Sequence, residues 1–204
     1  MAGLQFSMSR ADQSGIDIRN KILETASDLF YRHGVRAVGV DLVVEKAGVA
    51  KTSLYRHFRT KDDLIAAFLE REDQAFWAIW NRVAESCNGD ARAELTAELD
   101  WIGTRVGQPG YRGCAQLNVT AEFPEADHPA RQVAIAHKRK LREQLKGIVE
   151  RLHVGDPDLI AGQIAMLVDG ALVSSNAFDS GEPLRLLQRA VDVLISASIP
   201  TPAR

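Results

Sequence analysis

The stretch that decides the fold is AGVAKTSLYRHF, residues 47–58. A helical pattern stops there at Gly48, because glycine readily adopts the left-handed conformation that ends many helices. Beyond this turn, Val49, Leu54 and Phe58 recur at helical spacing and predict a second short helix with one buried face. Because so short a helix needs tertiary packing to form, the two helices and their glycine turn predict a helix-turn-helix.

The helix-turn-helix is predicted to belong to an N-terminal domain that spans residues 14–61. The residues before the quoted stretch predict the first two helices of this domain. Apolar residues at helical spacing indicate a first helix that begins at Ser14 and ends at His33, just before a glycine. Asp41 is expected to cap a second helix of barely two turns. Residues 1–13 show no periodicity and are expected to form a flexible arm.

The residues after this stretch predict a long helical body, residues 62–204. Thr60 and Asp63 match a capping box at the start of an amphipathic helix. Glycine and proline turns separate further helical patterns, and no alternating strand pattern occurs. The chain is therefore predicted to be all-α, with about nine helices.

The eighth of these helices, at about residues 157–178, is apolar around much of its circumference. Such a helix is expected to be buried on more than one side. The small residues Gly162, Ala165, Gly170 and Ala171 would let another helix approach closely. We therefore predict a two-fold homodimer that forms through helices 8 and 9.

The distribution of charge separates the two parts of the chain. Residues 1–61 carry ten Lys/Arg and six Asp/Glu, whereas residues 62–204 carry fifteen and twenty-one. A basic N-terminal third on an acidic body favours contact between that third and a polyanion such as DNA. A chance fluctuation in composition is the alternative.

Several other classes of protein have no support in the sequence. Hydrophobic residues make up 46% of the chain, which is enough for a folded core and argues against general disorder. No apolar run of membrane-spanning length and no signal sequence occurs, so we expect no membrane contact and a cytoplasmic location. Cys87 and Cys114 lack the spacing of a metal or redox site, and no metal or cofactor is expected.

Residues 47–58, together with RTKDDLIAAFLE at residues 59–70, strongly resemble the DNA-binding region of the TetR family of bacterial transcriptional regulators. The motif also lies where that family has it, after one long helix near the N-terminus, and the resemblance covers roughly residues 18–70. It implies an Ω-shaped, all-α homodimer in which helices 1 to 3 bind double-stranded operator DNA. The body would then supply a ligand pocket and the dimer interface.

The resemblance assigns roles, by matching position, to residues on the outer face of the recognition helix. Its first three residues would read base edges, Tyr55 and His57 would hold phosphates, and Lys61 would meet the DNA backbone at the start of helix 4. A solvated helix face is the alternative for the polar members. The predicted DNA-binding residues are Lys51, Thr52, Ser53, Tyr55, Arg56, His57 and Lys61.

Two positions depart from the family pattern. Ala50 stands where a serine cap is common, and Val38-Gly39 stand where Thr or Ser usually contacts a phosphate. The family's contacts at these positions are therefore not assumed for this chain.

Aromatic and polar side chains in the body predict a small-molecule pocket, because such mixtures commonly line ligand cavities. Ordinary core packing is the alternative for each aromatic residue, and a hydrogen-bonded core histidine is the alternative for His137. The candidate pocket residues are Trp77, Trp80, Trp101, Tyr111, Cys114, Asn118, Phe123, His137, Met166 and Asn176.

An enzyme is not expected. Cys114, His137 and Asp127 could serve as nucleophile, base and orienting group, but no catalytic signature surrounds them and no phosphate-binding glycine loop occurs. The resemblance instead implies a dimeric repressor that binds a palindromic operator and is released by an unknown small-molecule effector. An activator, or an adaptor with the same fold, that does not depend on ligand-induced release is the alternative.

Overall fold

The computed structural model describes residues 10–174, 177–179 and 181–199, and over these ranges the chain is helical with no strand. In chain order the helices are α1 (Arg10–His33), α2 (Val40–Ala47), α3 (Lys51–His57), α4 (Lys61–Ser86), α5 (Ala91–Val106), α6 (Ala115–Glu122), α7 (Pro129–Arg151), α8 (Pro157–Ser174) and α9 (Glu182–Ser198). The predicted all-α architecture is confirmed.

Three boundaries differ from those predicted. α1 begins at Arg10, so the last four residues of the predicted arm are helical. α2 has Gly39 at its N-cap position, and Asp41 therefore lies inside the first turn and does not cap the helix. α8 ends at Ser174 and is shorter than the sequence pattern suggested.

The head, residues 10–61, holds α3 through the apolar positions that the sequence pattern identified. Leu54 and Phe58 are 0% and 3% exposed, and they lie in one core with residues of α1, α2 and α4. Gly48 has a φ of +60°, which ends α2 and turns the chain towards α3. The predicted capping box is confirmed, because Asp63 N donates to Thr60 Oγ1 and Thr60 N donates to Asp63 Oδ2, both at 3.0 Å.

The hydrophobic core of the head continues past residue 61, the end of the predicted DNA-binding domain. Leu64 and Phe68, near the start of α4, belong to the same buried cluster as the apolar residues of α1 to α3. Ala115 and Val119 of α6 are also part of that cluster, and α6 contacts α7 in the body. The head is therefore joined to the rest of the chain, here called the body, by a packed path through α4 and α6.

The body has its own core, with Trp80 only 1% exposed. One side of α8 is buried in this core, with Ile164 and Val168 both at 0% exposure, whereas Met166 and Val173 are 75% and 64% exposed. By length and composition alone α8, with a mean hydropathy of 1.2, is apolar enough to cross a membrane. Packing against α5, α7 and α9 buries 33% of this helix, so its apolar residues are only partly accounted for within one chain.

The contact between α5 and α9 depends on a glycine. A Cβ atom at position 103 would lie 2.5–2.6 Å from three side-chain carbons of Leu184, and one of these is the Cβ atom of Leu184. We expect G103A to lower the free energy of unfolding by about 1–3 kcal/mol, since overpacking outweighs the gain of up to about 1 kcal/mol in helix propensity. Urea unfolding measures this difference.

Gly147 of α7 supplies the matched control. No atom lies within 4 Å of the position that its Cβ would occupy. G147A should therefore stabilise the protein by about 0.5–1 kcal/mol. Changes of the same sign in G103A and G147A would contradict a steric role for Gly103.

Candidate functional site

α3 presents a polar face to solvent while its apolar face is buried in the head. Among the predicted DNA-binding residues, Lys51, Thr52, Tyr55 and Arg56 are exposed, and Ser53, His57 and Lys61 are half-buried. Because Leu54 and Phe58 fix the buried face, Lys51, Thr52, Tyr55 and Arg56 lie on the outer surface of the helix. His57 is turned partly inwards, and its Nε2 atom is buried and has no hydrogen-bond partner among the described residues.

Two lysines of this set have partners within the head. Lys51 Nζ lies 2.6 Å from Asp41 Oδ1, and this hydrogen bond, with the carboxylate charge, raises the pKa of Lys51. Lys61 Nζ donates to the backbone carbonyl of Arg36 at 3.4 Å, and burial lowers the pKa of Lys61. To bind a DNA phosphate, either lysine would therefore have to give up its present oxygen partner within the head for a phosphate oxygen.

The departures from the family pattern leave two helix N-termini without side-chain caps. Gly39 precedes α2 and Ala50 precedes α3, and neither supplies a side-chain hydrogen bond. Val38 is 1% exposed and lies in the core of the head. A phosphate beside positions 38, 39 and 50 would meet backbone N–H groups rather than hydroxyls from these residues.

A carboxylate at the end of α6 holds the turn between α1 and α2. Glu122 accepts hydrogen bonds from the backbone N–H groups of Val35, at 3.2 Å, and Arg36, at 2.9 Å. Gly34 has a φ of +86°, and a Cβ there would lie 3.2 Å from a carboxylate oxygen of Glu122. The turn that leads into α2 is thus fixed by a residue more than eighty positions away in the chain.

Sequence reasoning missed Glu122, although a signal was available. A carboxylate at the C-terminus of a helix meets the negative end of the helix dipole, which is unfavourable unless other groups bind it. Glu122 is the last residue of α6 and precedes Phe123-Pro124, where the helix must stop. An acidic residue at that position could have indicated a hydrogen-bonded partner elsewhere in the fold.

A cleft of about 580 Å³ lies between α1, α4, α5 and the loop after α5. This volume suits a small organic molecule. The cleft touches the head through α1 and the body through α4 and α5, so an occupant would contact both. Its aromatic and charged lining residues are Tyr31, Trp101, Tyr111, Glu24, Asp28, Glu72, Arg71 and Arg105.

A smaller chamber of about 20 Å³, with room for about one water molecule, lies beside the cleft. Glu72, Arg105 and Tyr111 line both cavities and lie at their shared boundary, here called the partition. The Arg105 guanidinium lies 3.7 Å from the Glu72 carboxylate. The Tyr111 hydroxyl donates to the Leu172 carbonyl at 3.4 Å, and burial raises the pKa of Tyr111.

Four of the predicted pocket residues meet at these two cavities. Trp101 lines the cleft, Cys114 and His137 line the chamber, and Tyr111 lines both. His137 is also a hydrogen-bonded core histidine, because its Nδ1 lies 2.7 Å from Asp73 Oδ1. Burial lowers the pKa of His137 against the opposing effect of Asp73, so a neutral ring donates its Nδ1 proton to that carboxylate.

The other predicted pocket residues lie elsewhere. Trp77 and Trp80 are packed in the core of the body, at 4% and 1% exposure, and line neither cavity. Asn118 donates to the Arg112 carbonyl at 2.9 Å and lines a separate groove. Phe123 stacks on a histidine in the loop after α6, with ring centres 3.8 Å apart.

Two residues of the predicted pocket remain. Met166, 75% exposed on α8, lines neither the cleft nor the chamber and instead borders two surface grooves. Asn176 lies outside the described residues.

Comparisons with known proteins decide the family. Residues 22–68 match the family model described as bacterial regulatory proteins, tetR family. The solved structure of a TetR-family transcriptional regulator from Streptomyces coelicolor matches with a TM-score of 0.86 and 30% identity, covering 91% of this chain and 97% of the other. This chain belongs to the TetR family. It is therefore a relative of regulators rather than of enzymes.

Two curated TetR-type relatives carry opposite regulatory names. The transcriptional activator FasR from Mycolicibacterium smegmatis is 42% identical over 95 residues, 46% of this chain and 43% of FasR. The transcriptional repressor NemR from Escherichia coli is 28% identical over 107 residues, 52% of this chain and 54% of NemR. The matched stretch thus spans about half the length of each of these relatives.

Proposed function

We propose that this TetR-family protein is a DNA-binding transcriptional regulator that works in the cytoplasm, where its operator lies. The observation that carries the proposal is the polar outer face of α3, backed by the buried side chains of Leu54 and Phe58. A helix presented in this way can enter the major groove, with Lys51, Thr52 and Ser53 at the base edges. The basic N-terminal third of the chain supports attraction to phosphate.

We infer that the regulator is a homodimer through α8 and α9. Five of the large apolar side chains that stay exposed lie on these two helices, namely Leu159, Met166, Val173, Leu186 and Val193. Exposed apolar surface of this kind marks protein interfaces. A two-fold dimer would bring two α3 helices to major grooves roughly 34 Å apart, or a multiple of that distance, which requires a palindromic operator.

We further propose that the regulator is a repressor, and that a small molecule in the cleft releases it from DNA. The cleft contacts both head and body, so a ligand that prefers one arrangement of the two would change the affinity for DNA. The name of NemR supports repression, and the name of FasR supports an activator as the second candidate. The exposed polar face of α3 argues against an adaptor that no longer binds DNA.

Operator binding tests the assignment of Lys61. Lys61→Ala should weaken binding to every DNA sequence and flatten the slope of log affinity against log salt by about one unit, because each neutralised phosphate contributes about 0.9. Thr52→Ala should instead change which operator is preferred, because base edges carry the sequence information. Fluorescence anisotropy with operators selected from a random pool, at several salt concentrations, measures both effects.

The matched control for this experiment is Lys140→Ala in α7, which removes the same charge from the body and should leave the slope unchanged. A Lys61→Ala protein with the wild-type salt slope would exclude the phosphate contact. Binding of a single chain per operator would exclude the proposed dimer.

A further inference from the structure

A residue that lines the chamber beside the cleft carries a buried hydrogen-bond acceptor with no partner among the described residues. Gln116, in the first turn of α6, is 3% exposed and lines the chamber. Its Nε2 donates to the Leu69 carbonyl at 3.1 Å, which fixes the orientation of the amide, since a flipped amide would place two oxygens together. Gln116 Oε1 is buried and forms no hydrogen bond with any described residue. The site therefore favours an occupant that donates a hydrogen bond.

The partition between chamber and cleft is held by a weak ion pair. Arg105 and Glu72 are 3.7 Å apart, which is longer than a hydrogen bond. Their side chains are 28% and 29% exposed, so solvent screens the attraction. A ligand charge can replace either partner at small cost.

A ligand that replaces Arg105 in this ion pair must be a cation, and a ligand that replaces Glu72 must be an anion. An anion would take Arg105, leave Glu72 unpaired and bring further lone pairs towards Gln116 Oε1, which is already an unpaired acceptor. An ammonium group would take Glu72 and could donate to Gln116 Oε1 with a second N–H. The cation satisfies both oxygen groups, whereas the anion satisfies neither.

The cleft around the partition can accept a cation with an aromatic body. Its carboxylates (Glu24, Asp28 and Glu72) at least balance its guanidiniums (Arg71 and Arg105), so an entering cation meets no excess of positive charge. Three aromatic rings of the lining add faces that attract cations and pack against flat ligands.

We propose that this site binds an organic amine with an aromatic body. The ammonium group displaces Arg105 from Glu72 and donates a hydrogen bond to Gln116 Oε1, while the aromatic body lies in the cleft against Trp101 and Tyr31. The proposal rests on the proposed function, because it names the chemical class of the effector that would release the repressor.

A series of three indoles with the same skeleton tests the charge preference. Tryptamine, tryptophol and indole-3-propionate end in an ammonium, a hydroxyl and a carboxylate on the same two-carbon chain. Calorimetric titration of the full chain should show tryptamine binding at least about tenfold more tightly than either of the others. Equal affinities, tighter binding of indole-3-propionate, or binding of none of the three would overturn the proposal.

Two variants locate the preference. Glu72→Gln should reduce the affinity for tryptamine to that of tryptophol, because the charge that selects the ammonium is gone. Gln116→Met should weaken both donor ligands, and its melting temperature without ligand shows whether the fold is kept. Glu85→Gln, at the exposed far end of α4, is the control and should keep the wild-type preference. An unchanged preference in Glu72→Gln would exclude this site.

Operator binding, measured in the same samples, separates this inference from the function on which it rests. Tryptamine that binds with the expected preference but leaves operator affinity unchanged would contradict release by an effector. A protein that binds its operator but shows no preference for the ammonium would contradict only the ligand class.

Discussion

Glu98→Gln is expected to raise the free energy of unfolding strongly at alkaline pH and hardly at all in acid. Glu98 of α5 is 0% exposed, and neither of its carboxylate oxygens forms a hydrogen bond with a described residue. Burial, with a smaller contribution from Glu94, raises the pKa of Glu98 to about 8. The folded protein therefore keeps this side chain as an uncharged acid at neutral pH.

The sign of the pH dependence follows from proton binding. The pKa of Glu98 is about 8 in the folded state, and that of an unfolded glutamate is about 4.3. Between these values the folded state binds the extra proton, so the free energy of unfolding falls as the pH rises through this range. At about 1.4 kcal/mol per pKa unit the loss has an upper limit of about 5 kcal/mol. Glutamine has almost the same shape and does not ionise, so this contribution disappears in the variant.

Urea unfolding of the wild type and of Glu98→Gln, at about pH 5 and at about pH 8.5, gives the difference in free energy of unfolding between the two proteins at each pH. Subtracting variant from wild type isolates Glu98, because all other titrating groups are shared. Glu85→Gln, on the exposed end of α4, should show no such dependence. A Glu98→Gln protein whose stability relative to wild type is the same at both pH values would contradict a raised pKa.

The helix-turn-helix could be predicted because its signals are local. Gly48 is needed where the chain takes a φ of +60°, and Leu54 and Phe58 repeat with the period of one helix. The capping box of Thr60 and Asp63 joins residues only three apart. Each of these signals depends on neighbours within a few positions, which the sequence shows directly.

The buried carboxylates could not be predicted in the same way, because their surroundings come from distant parts of the chain. Glu94 and Glu98, four residues apart on α5, form a pattern typical of a solvated helix face. They are nevertheless 8% and 0% exposed, since α5 packs against α4, α7, α8 and α9. Glu122 likewise meets backbone groups 86 and 87 positions away.

The composition of the body predicted that aromatic residues would cluster but not which of them would line a cavity. Trp77 fills the core and Trp101 borders the cleft, although both lie on amphipathic helices. Met166 belongs to a helix with apolar residues on two sides, and periodicity alone does not tell which side faces inwards. In the structure Ile164 and Val168 are buried in the core, and Met166 is exposed at the surface.

Glu122→Ala is expected to loosen the turn between α1 and α2 and to weaken operator binding at every sequence. The change leaves the N–H groups of Val35 and Arg36 without their acceptor, and hydrogen bonds to a charged group contribute about 1.5–3 kcal/mol each. Val35 is 1% exposed, so water does not readily replace the carboxylate. Amide hydrogen exchange at these two residues and along α2 should become about ten to a hundred times faster.

Two further variants separate the carboxylate from its surroundings. Glu122→Gln keeps one acceptor oxygen and should give exchange rates between those of wild type and Glu122→Ala. Glu125→Ala, in the exposed loop that follows α6, should leave the exchange at Val35 unchanged. Wild-type exchange rates at Val35 and Arg36 in Glu122→Ala would show that the turn is held by other contacts.

Glu122→Ala should also separate ligand binding from DNA binding. α6 carries Gln116 in its first turn, at the chamber, and Glu122 at its end, against the turn of the head. A ligand that moves α6 can change operator affinity through this helix only while α6 is tied to the head. Tryptamine should therefore bind Glu122→Ala with wild-type affinity, while the ratio of operator affinities with and without it moves towards one. An unchanged ratio would mean that the signal reaches α3 by another route, such as α4, which runs from Lys61 in the head to Ser86 in the body.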